Sequence, residues 1–250
     1  MIRWLTAFVD LPAETFGVGS GFWQTVTGTT RSPVRGERGQ FATLLPPDGD
    51  AFLRVQEVLD GPAHLHLDLH VDDPRAAADR AIALGAVEIA APGHVILRSP
   101  GGLPWCTVAH RGERVRPGPV PGPDGARSLV DQVAIDIPAD RFDDEVRFWT
   151  ELTGWEHRTT GAPELQLLVR PDGMPLRLLF QRLGPDDGGD AVRAHLDIAA
   201  GAHVGVLAEE HRRLGATIVR ERPNWTTLVD PAGIPYCLTR RDPVTGLLPG

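Results

Sequence analysis

The sequence contains no lysine, and its 250 residues include one asparagine, one tyrosine and two cysteines. Without lysine, the chain offers neither a Schiff-base nucleophile nor the lysine of a phosphate-binding P-loop. Cys106 and Cys237 lie far apart and outside any Cys-x-x-Cys motif, which excludes a zinc ribbon and a disulfide framework. No stretch approaches the roughly 20 apolar residues that a membrane span needs, so we expect no membrane partner.

Acidic residues outnumber basic ones by 33 to 25, and the formal net charge is −8. Binding to nucleic acid needs a clustered basic surface. No arginine cluster stands out beyond Arg- and Gly-rich loops such as 111–116, so nucleic acid is not an expected partner. The first residues turn acidic at Asp10 and carry no basic lead before a long apolar run. This pattern is unlike a signal peptide, and we expect a cytoplasmic protein.

Several motifs of the first half recur in the second half in the same order, at offsets that grow from 126 to 131 positions. The matched pairs are FW at 22–23 and 148–149, HLD at 66–68 and 195–197, LGA at 84–86 and 214–216, and PGGLPWC at 100–106 with PAGIPYC at 231–237. An ordered internal repeat predicts two similar domains. We place them at 1–112 and 128–242, with a Pro-, Gly- and Arg-rich linker at 113–127 and a tail at 243–250.

Both halves predict the same order of elements. A strand at 4–10 or 129–137 is followed by an amphipathic helix that ends at a Thr-Gly pair. The remaining predicted strands are 41–46, 51–58, 64–71, 94–98 and 104–109 in the first half and 165–170, 175–183, 193–199, 226–229 and 235–240 in the second, with further helices at 74–84 and 203–214. Each half therefore contains the β-α-β-β-β pattern twice, which predicts an α+β fold.

The first predicted helix carries glycines at 17, 19 and 21, and glycine disfavours a helix interior. The spacing is a near miss to a dinucleotide-binding fingerprint, but no acidic residue follows in a βαβ unit at the required distance. We interpret the glycines as a flexible or close-packed start of the helix. Trp23 and Trp149 recur at matched positions of the two helices, so we predict that both belong to the core.

The segment 64–71 alternates strictly between two kinds of side chain. Leucines and Val71 occupy one face, and the other face carries His64, His66, Asp68 and His70. The polar face either lines a cavity, where it could bind a metal or move protons, or is a solvated face of a half-buried sheet. Same-face neighbours lie about 6.6–7 Å apart, so only a neighbouring pair could share one metal. His195 and Asp197 repeat the pairing in the second half.

These motifs resemble the glyoxalase-like branch of the vicinal oxygen chelate superfamily, which includes glyoxalases, bleomycin-resistance proteins and dioxygenases. The resemblance rests on LLFQRL at 178–183, HLD at 195–197, RRLGA at 212–216 and LVDPAGIPYCL at 228–238, and on HLDL at 66–69, ALGA at 83–86 and SPGGLPWC at 99–106. It implies two tandem domains, each made of paired βαβββ modules that form a curled mixed sheet around a cleft. It also implies a divalent metal held by residues of the first, fourth, fifth and eighth strands of a domain.

The positions that match those ligands are Gln132, Gln181, His195 and Cys237 in the second half and Thr6, Gln56, His66 and Cys106 in the first. Hard metals prefer carboxylate oxygens, and these positions offer amides and thiols. We therefore expect the full catalytic set to be missing and no cofactor to bind. Two alternatives stay open: a divalent metal such as zinc on His195, Gln181 and Cys237, and cysteines that only pack as small apolar residues.

The first functional hypothesis is a small-molecule-binding protein without the full metal site. Strand parity places Trp4 and Phe8 beside Thr6 as an apolar, aromatic-binding wall. The complete set of predicted ligand-binding residues is Trp4, Thr6, Phe8, Gln56, His64, His70, Gln132 and Gln181.

The alternative is a lyase or isomerase that acts on a small oxygenated substrate, with His195 and Asp197, or His66 and Asp68, as the acid/base pair. Whether the chain is an enzyme is left open, and so is the possibility that one domain only braces the other. Two domains in one chain can pair as separate subunits do, so a monomer is expected and a homodimer is the alternative.

Overall fold

The structure is a computed structural model that describes residues 1–185 and 187–249. The first half folds as β1 (Ile2–Pro12), α1 (Ala13–Val26), β2 (Thr30–Arg31), β3 (Phe41–Leu45), β4 (Leu53–Val58), β5 (His64–Val71), α2 (Pro74–Ala83), β6 (Val87–Ala90), β7 (Val95–Arg98) and β8 (Pro104–Ala109). A short strand, β9 (Val120–Pro121), and a 3₁₀ turn, Pro123–Gly125, follow.

The second half repeats this order. It folds as β10 (Arg127–Ile137), α3 (Phe142–Thr153), β11 (Glu156–Thr159), β12 (Leu165–Val169), β13 (Arg177–Arg182), β14 (Arg193–Ala199), a 3₁₀ turn at Gly201–His203, α4 (Val204–Arg213), β15 (Thr217–Glu221), β16 (Trp225–Val229) and β17 (Pro235–Thr239). The predicted pattern of β-α-β-β-β twice in each half is observed, although the individually predicted strands comprised only two of the three that follow each helix.

Each half contributes one open mixed sheet. The strand order is β2-β3-β4-β1-β5-β8-β7-β6 in the first sheet and β11-β12-β13-β10-β14-β17-β16-β15 in the second, with β9 added to β10. Parallel pairing joins β5 to β8 and β14 to β17, whereas the hairpins at the sheet ends are antiparallel. The predicted α+β fold of two mixed sheets is therefore confirmed.

The chain divides into two compact units that each draw on both halves of the repeat. Unit 1 comprises residues 1–8, 65–115 and 133–194, and unit 2 comprises residues 9–64, 116–132 and 195–250. Unit 1 thus holds the module from β5 to β8 and most of the module from β10 to β13. Unit 2 holds α1 with β2 to β4 and the module from β14 to β17.

Five short strands were absent from the sequence prediction, four of them in the repeated modules and β9 in the predicted linker. β2, β6 and β11 consist entirely of exposed residues, and β15 has a single half-buried residue among five. Sequence alternation reports the burial of one face, so a strand without a buried face gives no periodic signal. Part of the predicted linker is also folded, since β9 pairs with the start of β10 and Val120 is buried.

In unit 2, the middle glycine of the first helix marks a close contact. A Cβ at Gly19 would lie 2.9 Å from the Leu11 side chain and 3.2 Å from the Ala232 methyl group, whereas a Cβ at Gly17 or Gly21 would meet nothing within 4 Å. The interpretation of close packing is therefore confirmed at Gly19. The two flanking glycines are exposed and have no packing reason.

Buried indole groups in each unit donate to buried carboxylates. In unit 2 the indole N–H of Trp23 donates to Asp230 over 2.7 Å. In unit 1 the indole N–H of Trp149 donates to Glu145 over 2.8 Å, and Glu145 also accepts the backbone N–H of Gly101 over 2.7 Å. Both tryptophans are fully buried, as predicted.

The two carboxylates come from different elements of the repeat. Glu145 occupies the helix position that matches Gly19, and Asp230 occupies the loop position that matches Ser99. Each unit therefore has one carboxylate that accepts the indole N–H of its tryptophan. A helix residue, Glu145, supplies it in unit 1, and a loop residue, Asp230, supplies it in unit 2.

Within residues 1–185 and 187–249, no helix has both the length and the apolar character needed to cross a membrane.

Candidate functional site

Two parallel strands of unit 2 bring His195, Asp197 and Cys237 together. His195 and Asp197 are two residues apart on β14 and share a face, and Asp197 lies directly opposite Cys237 of β17 in the sheet register. All three residues are buried, with exposed fractions of 7%, 3% and 7%. Register and strand parity therefore place a nitrogen, an oxygen and a sulfur donor next to one another.

The three donor atoms converge on one point. His195 Nε2 lies 3.3 Å from Asp197 Oδ1 and 3.6 Å from Cys237 Sγ, and all three atoms lie within 4.8 Å of one another. The same ring nitrogen thus faces both the carboxylate and the thiol. A thiol–imidazole–carboxylate relay needs the two partners on opposite ring nitrogens, so this geometry is not that of a relay.

The other oxygen of Asp197 is held by neighbours in unit 2. The Gln132 amide donates a short hydrogen bond to Oδ2, and Nη1 of Arg241 lies 3.5 Å from the same atom. Among the described residues, none donates a hydrogen bond to the buried Oδ1. The carboxylate therefore has one oxygen fixed by polar side chains and one turned toward His195.

Charge at this site favours the ionised carboxylate. Burial alone would raise the pKa of Asp197, but His195 and then Arg241 outweigh it and hold that pKa below its usual range. Arg241 is itself anchored, because its Nη2 donates to Oδ1 of the fully buried Asp131 over 2.5 Å. Asp197 is consequently a carboxylate at neutral pH.

This donor set fits a borderline divalent metal such as Zn²⁺. Bonds of about 2.0–2.1 Å to nitrogen and oxygen and about 2.3 Å to sulfur place tetrahedral donors about 3.4 Å apart for a nitrogen–oxygen pair and about 3.6 Å apart for a nitrogen–sulfur pair. The observed separations of 3.3 and 3.6 Å match these edges. A carboxylate whose second oxygen is hydrogen-bonded is also typical of metal ligands.

The matching cluster of the first half lies in unit 1. It consists of His66, Asp68 and Cys106, and Asp68 is again directly opposite the cysteine in the register. His66 Nε2 lies 3.7 Å from Asp68 Oδ1. The ring of Phe8 stacks on the His66 imidazole with 4.4 Å between centroids. The repeat therefore conserves three donor types, with a wider nitrogen–oxygen separation in the first half.

The donor groups change one expectation. The sequence predicted that the full set of metal ligands is missing and that no cofactor binds. That prediction is not supported, because clusters of metal-capable side chains are present in the described chain. The carboxylates come from Asp68 and Asp197, which follow each histidine by two residues and were assigned to acid/base chemistry instead.

The polar face of β5 is not a solvated face. Asp68 and His70 are buried, and His66 is only partly exposed. His64 Nε2 lies 3.2 Å from Asp10 in unit 2. In unit 1, His70 Nε2 lies 2.9 Å from the hydroxyl of Thr6.

The other predicted ligand-binding residues differ in their placement. Trp4, Thr6 and Phe8 are buried in the interior. Gln132 is fully buried and contacts Asp197. Gln56 lies on β4 in unit 2 and Gln181 on β13 in unit 1, both half-buried. A ligand-binding role for these residues stays a prediction.

Sequence reasoning missed Asp131 and Arg241, which support the second-half cluster. Asp131 is adjacent to the predicted Gln132, and Arg241 lies two residues beyond the last strand. Their pairing spans 110 positions of sequence. The sequence signal was the parity of Asp131, which shares a face of the strand with the apolar Val133 and Ile135. A charged residue on such a face is unfavourable unless a partner compensates it.

Three comparisons with known proteins bear on this chain. Glyoxalase-like domains match residues 7–108 and 132–239. No curated protein sequence matches. Similar solved structures include a triple mutant of 4-hydroxymandelate synthase from Streptomyces coelicolor, with 16% identity, coverage of 97% of this chain and 93% of that one, and a TM-score of 0.61.

Two further structures share the fold at low identity. The Mn(II)-bound glyoxalase from Novosphingobium aromaticivorans is 18% identical over 99% of this chain and 85% of that one, with a TM-score of 0.59. The 2,2',3-trihydroxybiphenyl 1,2-dioxygenase from Sphingomonas wittichii is 16% identical over 96% and 90%, with a TM-score of 0.60. With both of its halves matched by the same family, the chain belongs to the glyoxalase-like domain family, as a tandem pair within the vicinal oxygen chelate fold.

Proposed function

We propose that this protein binds a small oxygenated molecule at a divalent metal ion held by His195, Asp197 and Cys237. One observation carries the proposal: three different donor atoms lie within 4.8 Å of one another, and the two separations from His195 Nε2 suit tetrahedral coordination. Three protein ligands leave a fourth position for water or a ligand oxygen. One structural neighbour agrees with this chemistry, since it is a Mn(II)-bound glyoxalase.

The surrounding residues prepare the site for a cation. Gln132 and Arg241 hold Oδ2 of Asp197, so that Oδ1 stays aimed at the His195 nitrogen. The hydroxyl of Thr227 lies 3.6 Å from Cys237 Sγ and can stabilise a thiolate. When bound, a divalent metal would act as a Lewis acid that polarises an oxygen of the ligand.

Burial sets the size of the ligand. The side chains of His195 and Asp197 retain 8% and 5% of their exposure, so the approach to them is narrow. Water is largely excluded, which strengthens every electrostatic contact at the site. We therefore propose a ligand of few atoms with at least one oxygen donor, such as a diol or a hydroxy ketone.

The second candidate is a lyase or isomerase in which His195 and Asp197 act as the acid/base pair. It is favoured by the ionised carboxylate 3.3 Å from the imidazole. The two candidates make exclusive demands on His195 Nε2, because a nitrogen that ligates a metal cannot also exchange a proton. Metal removal separates them: it abolishes binding in the first case and leaves proton chemistry intact in the second.

Co²⁺ provides the direct test of the metal site, because a thiolate ligand gives it an intense charge-transfer absorption in the near ultraviolet. We expect the full-length protein to show this band at one equivalent of Co²⁺ and Cys237→Ser to lose it. Cys106→Ser is the matched control and should retain it. Catechol, which occurs in the name of one structural neighbour, should then raise the melting temperature of the metal-loaded protein more than that of the metal-free protein.

Two results would contradict the proposal. A band that survives Cys237→Ser and disappears in Cys106→Ser would move the metal to the first-half cluster. If the folded wild-type protein shows no charge-transfer band with Co²⁺, neither cysteine ligates the metal, and the proposed site at His195, Asp197 and Cys237 is wrong.

A further inference from the structure

A third cluster of metal-capable side chains lies in unit 1, at the ends of two parallel strands. His70 is the penultimate residue of β5, and His110 follows the last residue of β8. The register pairs Val71 with Ala109, and the backbone N–H of His110 donates to the carbonyl of Val71 over 2.9 Å. Because the strands run in parallel, both histidines reach the same edge of the sheet.

A turn after β8 returns a carboxylate to this edge. Gly112 has a φ of +109°, a backbone conformation that residues with a Cβ rarely adopt. The turn brings Glu113 back, and its Oε2 accepts the backbone N–H of Arg111 over 3.1 Å. Glu113 is 17% exposed at its side chain, so it lies at the rim of the cluster.

The three side chains point their donor atoms at one another. Oε2 of Glu113 lies 3.7 Å from Nδ1 of His70 and 3.4 Å from Nδ1 of His110, and all three atoms lie within 4.8 Å of one another. Tetrahedral nitrogen and oxygen donors around zinc are about 3.4 Å apart. The 3.4 Å between His110 and Glu113 matches this value, the 3.7 Å between His70 and Glu113 is slightly longer, and the two ring nitrogens are at most 4.8 Å apart.

A hydrogen bond orients the buried histidine. Nε2 of His70 lies 2.9 Å from the hydroxyl of Thr6, which leaves Nδ1 directed at Glu113. Metal-binding histidines commonly use their second ring nitrogen in this way, because the bond fixes the tautomer and the ring. His70 is 2% exposed, so the imidazole is rigidly placed.

The carboxylate carries its charge at neutral pH. Burial alone would raise the pKa of Glu113, but backbone N–H groups and the two histidines outweigh it, and the net pKa lies below the usual range. One anionic oxygen and two imidazole nitrogens form a donor set typical of Zn²⁺ and related divalent transition metals.

From this geometry we infer that His70, His110 and Glu113 bind one Zn²⁺ ion, at a site separate from the His66 cluster. His70 is four residues beyond His66 on β5, about 13 Å along the strand. The donor set contains no sulfur. His110 and Glu113 are partly exposed, so water completes the coordination. The ion would tie the segment after β8 to the end of β5.

Zn²⁺ and Co²⁺ binding to the full-length protein test this inference. Beyond the equivalent assigned to the Cys237 site, we expect a second equivalent of Co²⁺ that adds visible d–d absorption without adding to the thiolate charge-transfer band. His110→Gln and Glu113→Gln should each weaken Zn²⁺ binding at this site by more than roughly 100-fold. Mutation of a residue that only hydrogen-bonds to a metal ligand typically weakens metal binding 10- to 100-fold, and loss of a ligand itself should cost more. Thr6→Val removes the hydroxyl that contacts His70 and should weaken Zn²⁺ binding about 10-fold.

The matched control is His157→Gln, which changes an exposed histidine of β11 that contacts Gln166 and should leave Zn²⁺ binding unchanged. The thiolate band of the Cys237 site should persist in His110→Gln. Failure of the proposed function would remove the thiolate band, whereas failure of this inference would remove only the thiolate-free d–d absorption.

Nitrogen-15 NMR of the histidine rings in the unmodified protein avoids any dependence on how the variants fold. Zn²⁺ should shift the ring nitrogens of His70 and His110 together. Unshifted resonances at saturating Zn²⁺, or wild-type affinity in folded His110→Gln and Glu113→Gln, would overturn the inference.

Discussion

Acid should destabilise unit 2 through the buried imidazole of His211. The side chain is 2% exposed, and its Nδ1 lies 2.9 Å from the hydroxyl of Tyr236 on β17. Burial lowers the pKa of His211 from 6.5 to about 4. The folded protein therefore keeps this residue neutral at pH values where the unfolded chain would already protonate it.

The size of the effect follows from the two pKa values. Because the pKa is depressed on folding, the contribution to stability is complete above pH 6.5 and is lost as the pH falls through about 4. A difference of about 2.5 units corresponds to about 3 kcal/mol in total, of which about 2 kcal/mol is lost by pH 5. Protonation would place a charged imidazolium beside the buried hydroxyl of Tyr236, 2.9 Å from Nδ1.

Urea unfolding at pH 7.5 and pH 5 measures this loss. His211→Gln is the matched variant, because an amide can either accept from the Tyr236 hydroxyl or donate to it and does not titrate. The wild type should lose about 2 kcal/mol more than His211→Gln over this interval. Other titrating groups, including Asp230, whose pKa is raised by burial, are present in both proteins and cancel in the difference. Equal losses in the two proteins would refute the reasoning.

Gly17→Ala and Gly21→Ala should each raise the free energy of unfolding by about 0.5–1 kcal/mol, because both positions are exposed in α1 and a Cβ there meets nothing within 4 Å. Gly19→Ala should lower it by about 1 kcal/mol, since its Cβ would press on the buried Leu11; a stabilised Gly19→Ala in thermal unfolding would contradict this packing. Glu145→Gln should cost about 1.5–3 kcal/mol, because an amide cannot accept from both buried N–H donors that the carboxylate serves. Unchanged urea unfolding of Glu145→Gln would show that the charge is not needed.

Strands with one buried apolar face could be predicted from the sequence. The strict alternation of residues 64–71 located β5 at its observed bounds, and the second half repeated this with residues 193–199 for β14. The exposed strands β6 and β11 could not be predicted in this way, because hydrogen bonds to a neighbouring strand form them and no buried face marks them.

The candidate sites were only partly predictable, for a related reason. Parity along one strand placed His195 and Asp197 on a common face, since this depends on local geometry alone. The pairing of Arg241 with Asp131 depends on sheet register across 110 positions, which no local pattern encodes. His110 and Glu113 stood in or beside a segment predicted as a linker, and only a tight turn returns them to the sheet.

The duplicated halves differ most at the residue that supports each cluster. Gln132 and Thr6 occupy matched positions of the repeat, 126 residues apart. Gln132 holds the carboxylate of Asp197, whereas Thr6 contacts His70, in a different cluster. The residue at this position of the first strand thus contacts the cluster that contains Cys237 in unit 2, and in unit 1 it contacts the cluster of His70, His110 and Glu113, which has no cysteine.

This difference between Gln132 and Thr6 indicates that the His195 cluster and the His66 cluster are not equivalent metal sites. In unit 2, the nitrogen–oxygen separation is 3.3 Å and the second carboxylate oxygen is fixed by two side chains. In the first-half cluster the separation is 3.7 Å, and Phe8 covers the imidazole of His66. A metal needs donors that are already in place, because moving a buried side chain against close packing costs free energy. The second-half cluster should therefore take up metal first, and the His66 cluster only at higher concentrations.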